Sequence, residues 1–399
     1  MKRSLLTALL LTASPALAQS PSAPDAAPTA PASPGTAAPS PSATETGKPS
    51  PTSPVEAPKE PNWTEKVKLS ARAYLRYSYE LGEEARNANQ FNIDRLYFQG
   101  EFFATDRVRL QITLDAGATR NATGNQVFFA ETKSAFIEVK DLLMQGSYLR
   151  AGILPLAWIP YEEDLWGYRV QGPLPMDRWG YLTSADVGLA YGGTLPSKYG
   201  SFQVNVTNGE GFRSVEPGKR KELQARLSLN PLASMGGLPA GLFITGYGSY
   251  GRYDDRDLAV RDRSRVVGEV GLKAPAVTVA AAYVVARDPN AKLSSRYTLS
   301  ADSLVRGQGL YAFGVLDVGA LTPSLNGVDL LVRYDSLDPD TQLENNDVNL
   351  LIAGVGYRWN KYVKSLINYE TVSYGVDVGG ADTQRPAEQR IKVQTEFRF

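Results

Sequence analysis

The sequence predicts an all-β fold: a 16-stranded antiparallel transmembrane β-barrel with a long third extracellular loop, preceded by a disordered Pro/Ala/Ser-rich arm. Three observations carry this prediction. Apolar and polar residues alternate with period two over many segments, the connections between those segments alternate between short and long, and the chain starts with an export signal. No later stretch holds the roughly 18 uninterrupted apolar residues that a transmembrane helix needs. A membrane would therefore be crossed by strands.

At the amino terminus, Met1, Lys2 and Arg3 supply positive charge, "SLLTALLLTA" a short apolar core and Ala16 to Ala18 a small-residue ending. This is the pattern of a signal peptide over 1–18, with cleavage before Gln19. From 19 to 62 the chain holds 12 of its 26 prolines and no aromatic residue, so it buries too little to fold and reads as a disordered periplasmic linker. The composition changes at Trp63, and 63–399 is the expected barrel.

Within it, "VKLSARAYLRYSYE" sets Val67, Leu69, Leu75 and Tyr77 on one face and Lys68, Arg72, Arg76 and Glu80 on the other. "RVRLQITLD" and "ELQARLSLN" repeat the pattern, with Leu110, Ile112 and Leu227 on the expected lipid face. Read in order, the strands fall at 67–80, 91–104, 107–117, 132–142, 147–154, 185–195, 200–207, 219–230, 240–252, 263–273, 276–287, 305–316, 327–335, 346–358, 361–373 and 387–399. Joins such as "KAPA" and "WNKY" are short, whereas "LGEEARNANQ" and "DAGATRNATGNQ" are long and polar. With the amino terminus in the periplasm, every odd connection becomes extracellular.

The final strand, "IKVQTEFRF", alternates to its last residue, with Val393 towards lipid and Lys392 inward. In a closed barrel it pairs with the first strand, and Phe397 and Phe399 fall at the interfacial girdle. A terminal phenylalanine on such a strand resembles the signal by which outer-membrane proteins are recognised for insertion. That likeness implies the barrel assembly machinery as a partner, beside outer-membrane lipid.

The third extracellular connection, some thirty residues between Ile153 and Asp186, carries three of the five tryptophans, Trp158, Trp166 and Trp179. Loops of that length in compact folds are usually functional. Its position makes the chain resemble the trimeric sixteen-stranded porins, whose third loop folds into the lumen. "SADVGLAYGG" and "VNVTNGEGF" are similar to segments of the phosphate-selective porin O and P family. The resemblance implies a Gram-negative cell outer membrane, a homotrimer, passive diffusion of small hydrophilic or ionic solutes and a phosphate-like anion preference. The expected barrel nevertheless holds 38 basic and 38 acidic residues, which puts that preference in question.

An inward-folded loop would bring Glu162, Glu163, Asp164 and Asp177 to a constriction. Facing them, Arg72, Arg76, Arg95, Arg109 and Lys392 would form a basic stripe on the pore wall, giving a transverse field. The bland alternative leaves these bases merely solvated or paired with wall carboxylates such as Glu101 and Glu138.

Little else in the chain points to chemistry. There is no cysteine and no histidine, so HExxH zinc sites, Ser-His-Asp triads, Cys-His dyads and histidine bases are excluded, and neither an enzyme nor a cofactor is expected. "GYGSYG" at 246–251 lies within a strand and reads as barrel glycines, not as a dinucleotide site. "DSLDPDTQLENND" offers oxygen ligands for calcium but reads as a solvated acidic loop. Balanced charge, 42 against 42, argues against nucleic acid. The competing function is a structural one, with the Pro-rich arm as a cell-wall tether.

Overall fold

The computed structural model describes residues 62–120, 125–214, 219–253, 257–375 and 386–399. The expected signal peptide and the arm up to residue 61 lie outside them. The strands are β1 (Val67–Glu80), β2 (Asn89–Phe103), β3 (Val108–Arg120), β4 (Gln126–Lys140), β5 (Ser147–Pro155), β6 (Ala185–Thr194), β7 (Gly200–Thr207), β8 (Glu222–Leu229), β9 (Leu242–Arg252), β10 (Asp262–Ala274), β11 (Val277–Pro289), β12 (Leu304–Asp317), β13 (Val328–Asp338), β14 (Val348–Arg358), β15 (Val363–Tyr374) and β16 (Glu388–Arg398).

Each strand pairs antiparallel with its sequence neighbours, and β16 pairs with β1, so the sheet closes into a 16-stranded barrel. Closure is in register along Arg72↔Arg398, Tyr77↔Val393 and Glu80↔Arg390. The backbone of Phe399 exchanges both hydrogen bonds with Ala71, at 3.1 and 3.2 Å. A closed sheet has no unpaired edge, which is why an apolar strand face can be left outward without an aggregation-prone rim.

Side-chain alternation sends one residue set out and the other into the lumen. Leu110, Ile112, Leu227 and Val393 are exposed on the outer face as expected, and Lys392 is buried inside. Aromatic residues mark both ends of the apolar belt: Trp359, Tyr362 and Phe397 near the short turns, Tyr250 and Tyr283 towards the long loops. In the β14–β15 turn, the Asn360 carboxamide oxygen accepts the N–H groups of Tyr362 and Val363 at 2.7 and 3.0 Å, which fixes the reversal.

The second long connection is shorter than expected. β3 runs to Arg120 and β4 starts at Gln126, because the small residues Gly117, Ala118 and Thr119 are wall positions facing Phe129, Phe128 and Val127. Small residues beside aromatics on a neighbouring strand read as loop when seen alone. The expected acidic loop at 335–347 is also corrected. Asp335 and Asp340 are fully buried, Asp335 on Arg333 and Asp340 on the Ser300 N–H and hydroxyl.

Two β-bulges break the alternation, one beside Tyr74/Leu75 in the β1–β2 pairing and one beside Thr113/Leu114 in the β3–β4 pairing. The extra residues are Asp94 and Lys133. Each bulge switches which parity points inward along its strand.

Candidate pore and constriction loop

The connection from β5 to β6 leaves at Pro155 and returns at Ala185, its neck closed by the Leu156 N–H donating to the Ser184 carbonyl at 3.0 Å. Pro160 in the first turn starts α1 (Ile159–Trp166), and Gly167, at φ 70°, ends it in the left-handed conformation that glycine tolerates best. After a single 3₁₀ turn at 169–171, α2 (Pro175–Arg178) completes the path.

This segment lies inside the barrel. Trp158 packs on Tyr247 of β9 with ring centres 5.4 Å apart, Trp166 meets Phe313 of β12 edge-on at 5.2 Å, and Trp179 meets Tyr311 at 5.8 Å. All three indoles are almost fully buried. They continue into inward-facing Val267, Ala280, Ala282, Val284, Leu331, Leu350 and Ile352 of β10 to β14, forming one hydrophobic core within the lumen. Gly309 makes room for it: a β-carbon there would sit 2.7 Å from the Trp179 ring.

Polar contacts fix the loop's register on the same wall. Tyr161 donates to Glu269 at 2.9 Å, Arg226 to the Ala157 carbonyl at 2.9 Å, Arg333 to the Pro173 carbonyl at 2.7 Å and Gln171 to Glu370 at 2.9 Å. Arg333 itself is fully buried on Asp335. Lys392 and Arg178 meet Glu370 at 2.7 and 3.2 Å.

With the loop bound to β8–β16, the open part of the lumen lies on the opposite side. A cavity of 480 Å³ separates the loop from the polar wall of β1 to β4. Tyr74, Tyr97, Gln99, Gln111 and Thr113 line it, together with the cations Arg72, Lys133, Arg169, Lys361 and Arg398 and a single acidic side chain, Glu163. Lys133 lies 4.6 Å from the centre of the Tyr97 ring, a cation–π contact. Arg169 bridges Glu163 at 2.5 Å and Asp177 at 3.7 Å.

The four acidic residues expected at the constriction do not share one face. Successive residues of an α-helix point about 100° apart, so α1 sends Glu162, Glu163 and Asp164 in three directions. Glu163 faces the cavity. Glu162 points into the hydrophobic core, fully buried, and neither of its carboxyl oxygens has a hydrogen-bond partner among the described residues. Burial, reinforced by the nearby Glu269, pushes its carboxyl well above the usual carboxylate range. Asp164 is exposed, 3.4 Å from Lys273. Asp177 sits beside Arg169, its carboxyl raised by burial against that cation's pull.

The expected basic stripe is neutralised where it stands. Arg76 pairs with Asp94 at 2.9 Å, Arg95 with Asp115 at 2.8 Å, and Arg109 with Glu138 at 2.7 Å and with Glu101. Arg72 reaches Glu396 at 3.5 Å, and Lys392 lies behind the loop on Glu370. Of the five, Arg72 alone lines the cavity. Sequence reasoning missed Lys133, because a bulge residue has no place in a strict alternation, and Arg169, which lies among the acids that drew attention. Tyr74 and Tyr97 were legible only as wall residues.

No protein-family model matches the sequence, and no curated protein sequence is similar to it. Solved structures are. The anion-selective porin from Comamonas acidovorans superposes with a TM-score of 0.58 at 10% identity, over 84% of this chain and 99% of that one. OmpF of Salmonella typhi, in complex with daunomycin, gives 0.57 at 15% over 84% and 97%. OmpT, an outer membrane protein of Vibrio cholerae in a trimer form, gives 0.54 at 11% over 84% and 99%. At these identities the likeness shows the fold: the chain has the architecture of the bacterial outer-membrane porins.

Proposed function

We propose that this protein is an outer-membrane porin that passes small hydrophilic solutes by passive diffusion and prefers anions, phosphate-like ions among them. The observation that carries the preference is the cavity lining: Lys133, Lys361 and Arg398 have no ion-pair partner among the described residues, whereas its one acidic side chain, Glu163, is held by Arg169. In a narrow, poorly screened passage such an excess raises the local anion concentration. The wall ion pairs do not contribute to it, since each cancels locally. The porin fold and the anion-selective porin among its structural neighbours support the same reading. A homotrimer is proposed from the trimer form of the Vibrio cholerae protein. Phe397 and Phe399 are proposed as the assembly signal, and the arm as a periplasmic linker.

The test is the reversal potential of the purified barrel in a planar bilayer under a salt gradient. Lys133→Glu should move it towards cations, and Glu163→Gln further towards anions. Arg109→Gln combined with Glu101→Gln, which removes a balanced pair outside the cavity lining, should leave it in place. Equal shifts from Lys133→Glu and from this double variant would mean that the cavity does not set selectivity. A protein that inserts and conducts no current would favour the cell-wall tether.

A further inference from the structure

On the outer face of the wall, Arg287 of β11 and Arg306 of β12 are direct cross-strand partners. Both are exposed, and both alternate with buried neighbours, Ala286 and Asp288 on one strand, Val305 and Gly307 on the other. Neither arginine has an ion-pair partner among the described residues. Like charges directly opposite on a sheet repel, and elsewhere in this barrel such pairs have carboxylates beside them. Arg72 opposite Arg398 has Glu396. Arg358 opposite Lys364 has Asp329 and Glu396, at 3.2 and 3.0 Å from the respective cations. On the same outer face, Arg252 is held by Asp262 at 2.7 Å. Asp338, diagonal to Arg306, instead accepts from Gln308 at 3.2 Å.

The pair sits at the long-loop ends of its strands, beyond Tyr283 and Leu310, where the apolar belt gives way to headgroups. Further down the same strands, Ala281, Ala312 and Gly314 form the floor of an apolar depression of 790 Å³, walled by Val270, Val279 and Val332. Arg287 and Ala281 are six residues apart, about 20 Å along a strand. The acyl chains of one leaflet span roughly 15 Å.

We propose that Arg287 and Arg306 clasp the headgroup of a phosphate-bearing anionic lipid whose acyl chain lies along this wall into the depression. Guanidinium groups match phosphate oxygens bidentately, and the anion would relieve the repulsion between them. The site requires the barrel to lie in a membrane, but not to conduct.

Native mass spectrometry of the barrel, released from nanodiscs of zwitterionic phosphatidylcholine containing a diphosphorylated acylated glycolipid, tests this. The wild type should retain the glycolipid over phosphatidylcholine. R287Q/R306Q should weaken retention at least roughly tenfold, the loss of about one charge-assisted contact. Ala312→Trp, which fills the depression and leaves both arginines, should also weaken it, and excess inorganic phosphate should not displace the lipid. Heat-modifiability on gels confirms that each variant is folded. Unchanged retention in R287Q/R306Q, equal retention of phosphatidylcholine, or displacement by inorganic phosphate would overturn the site. So would a change of oligomeric state in R287Q/R306Q without lipid loss, which would make the pair a contact between copies.

Discussion

The inner faces of the two halves of this barrel are built for different surroundings. Between β1 and β4 the inward residues are Arg76, Arg95, Gln99, Gln111 and Thr113, which pair or hydrogen-bond along the wall, and the last three border the cavity. From β10 to β15 they include Val267, Ala282, Val284, Leu350, Ile352 and Leu366, which border protein. One closed sheet thus has an aqueous wall and a core wall, and the loop between β5 and β6 is the layer that covers the second. Releasing the loop would expose three tryptophans and that apolar wall to water, at roughly 1.5–3 kcal/mol for each large side chain. The loop is therefore a fixed partition and not a hinged gate.

The largest expected effect contrasts ion pairs on the two walls. Arg333→Ala strands Asp335 in the core and should cost about 3–5 kcal/mol. Arg76→Ala, in a part-exposed pair on the aqueous wall, should cost about 1 kcal/mol or less. Heat-modifiability midpoints measure both, and equal losses would erase the distinction between the walls.

A smaller effect concerns the outer face that both halves share. Val393→Arg places a charge towards lipid, costs about 2–4 kcal/mol at mid-membrane and should impair assembly. Lys392→Ala should insert normally but loosen the loop, because Glu370 then keeps Gln171 and, of its cations, only Arg178 and Arg390. Urea titration of liposome-reconstituted barrels reads the first, and current noise in planar bilayers the second.

The smallest effect sharpens the picture of the core side. The folded-state pKa of Glu162 lies above its unfolded value, so its contribution to stability is complete below the ordinary carboxylate range. It is lost as pH rises through the raised folded value. The melting temperature of the wild type should fall over that rise, and Glu162→Gln should flatten the curve. A wild-type curve already flat would place Glu162 in contact with water.

The sequence by itself determined the barrel. Period-two alternation depends only on which residues tolerate lipid, so strand number, closure, lipid-facing register and the ends of β1 and β7 were all legible, and so was the exceptional third extracellular connection. The apolar inner wall was also written there, in runs such as "VTVAAAYVVA" that are apolar on both faces. Tertiary structure alone decided where each charge of the site points. Glu162 and Glu163 are adjacent in sequence and face opposite sides of the loop, because a helix formed within what alternation shows only as a long connection. Lys133 reaches the cavity because a bulge shifts parity, and Arg109 does not because Glu101 and Glu138 stand beside it. Such placements depend on long-range neighbours, which local periodicity does not encode.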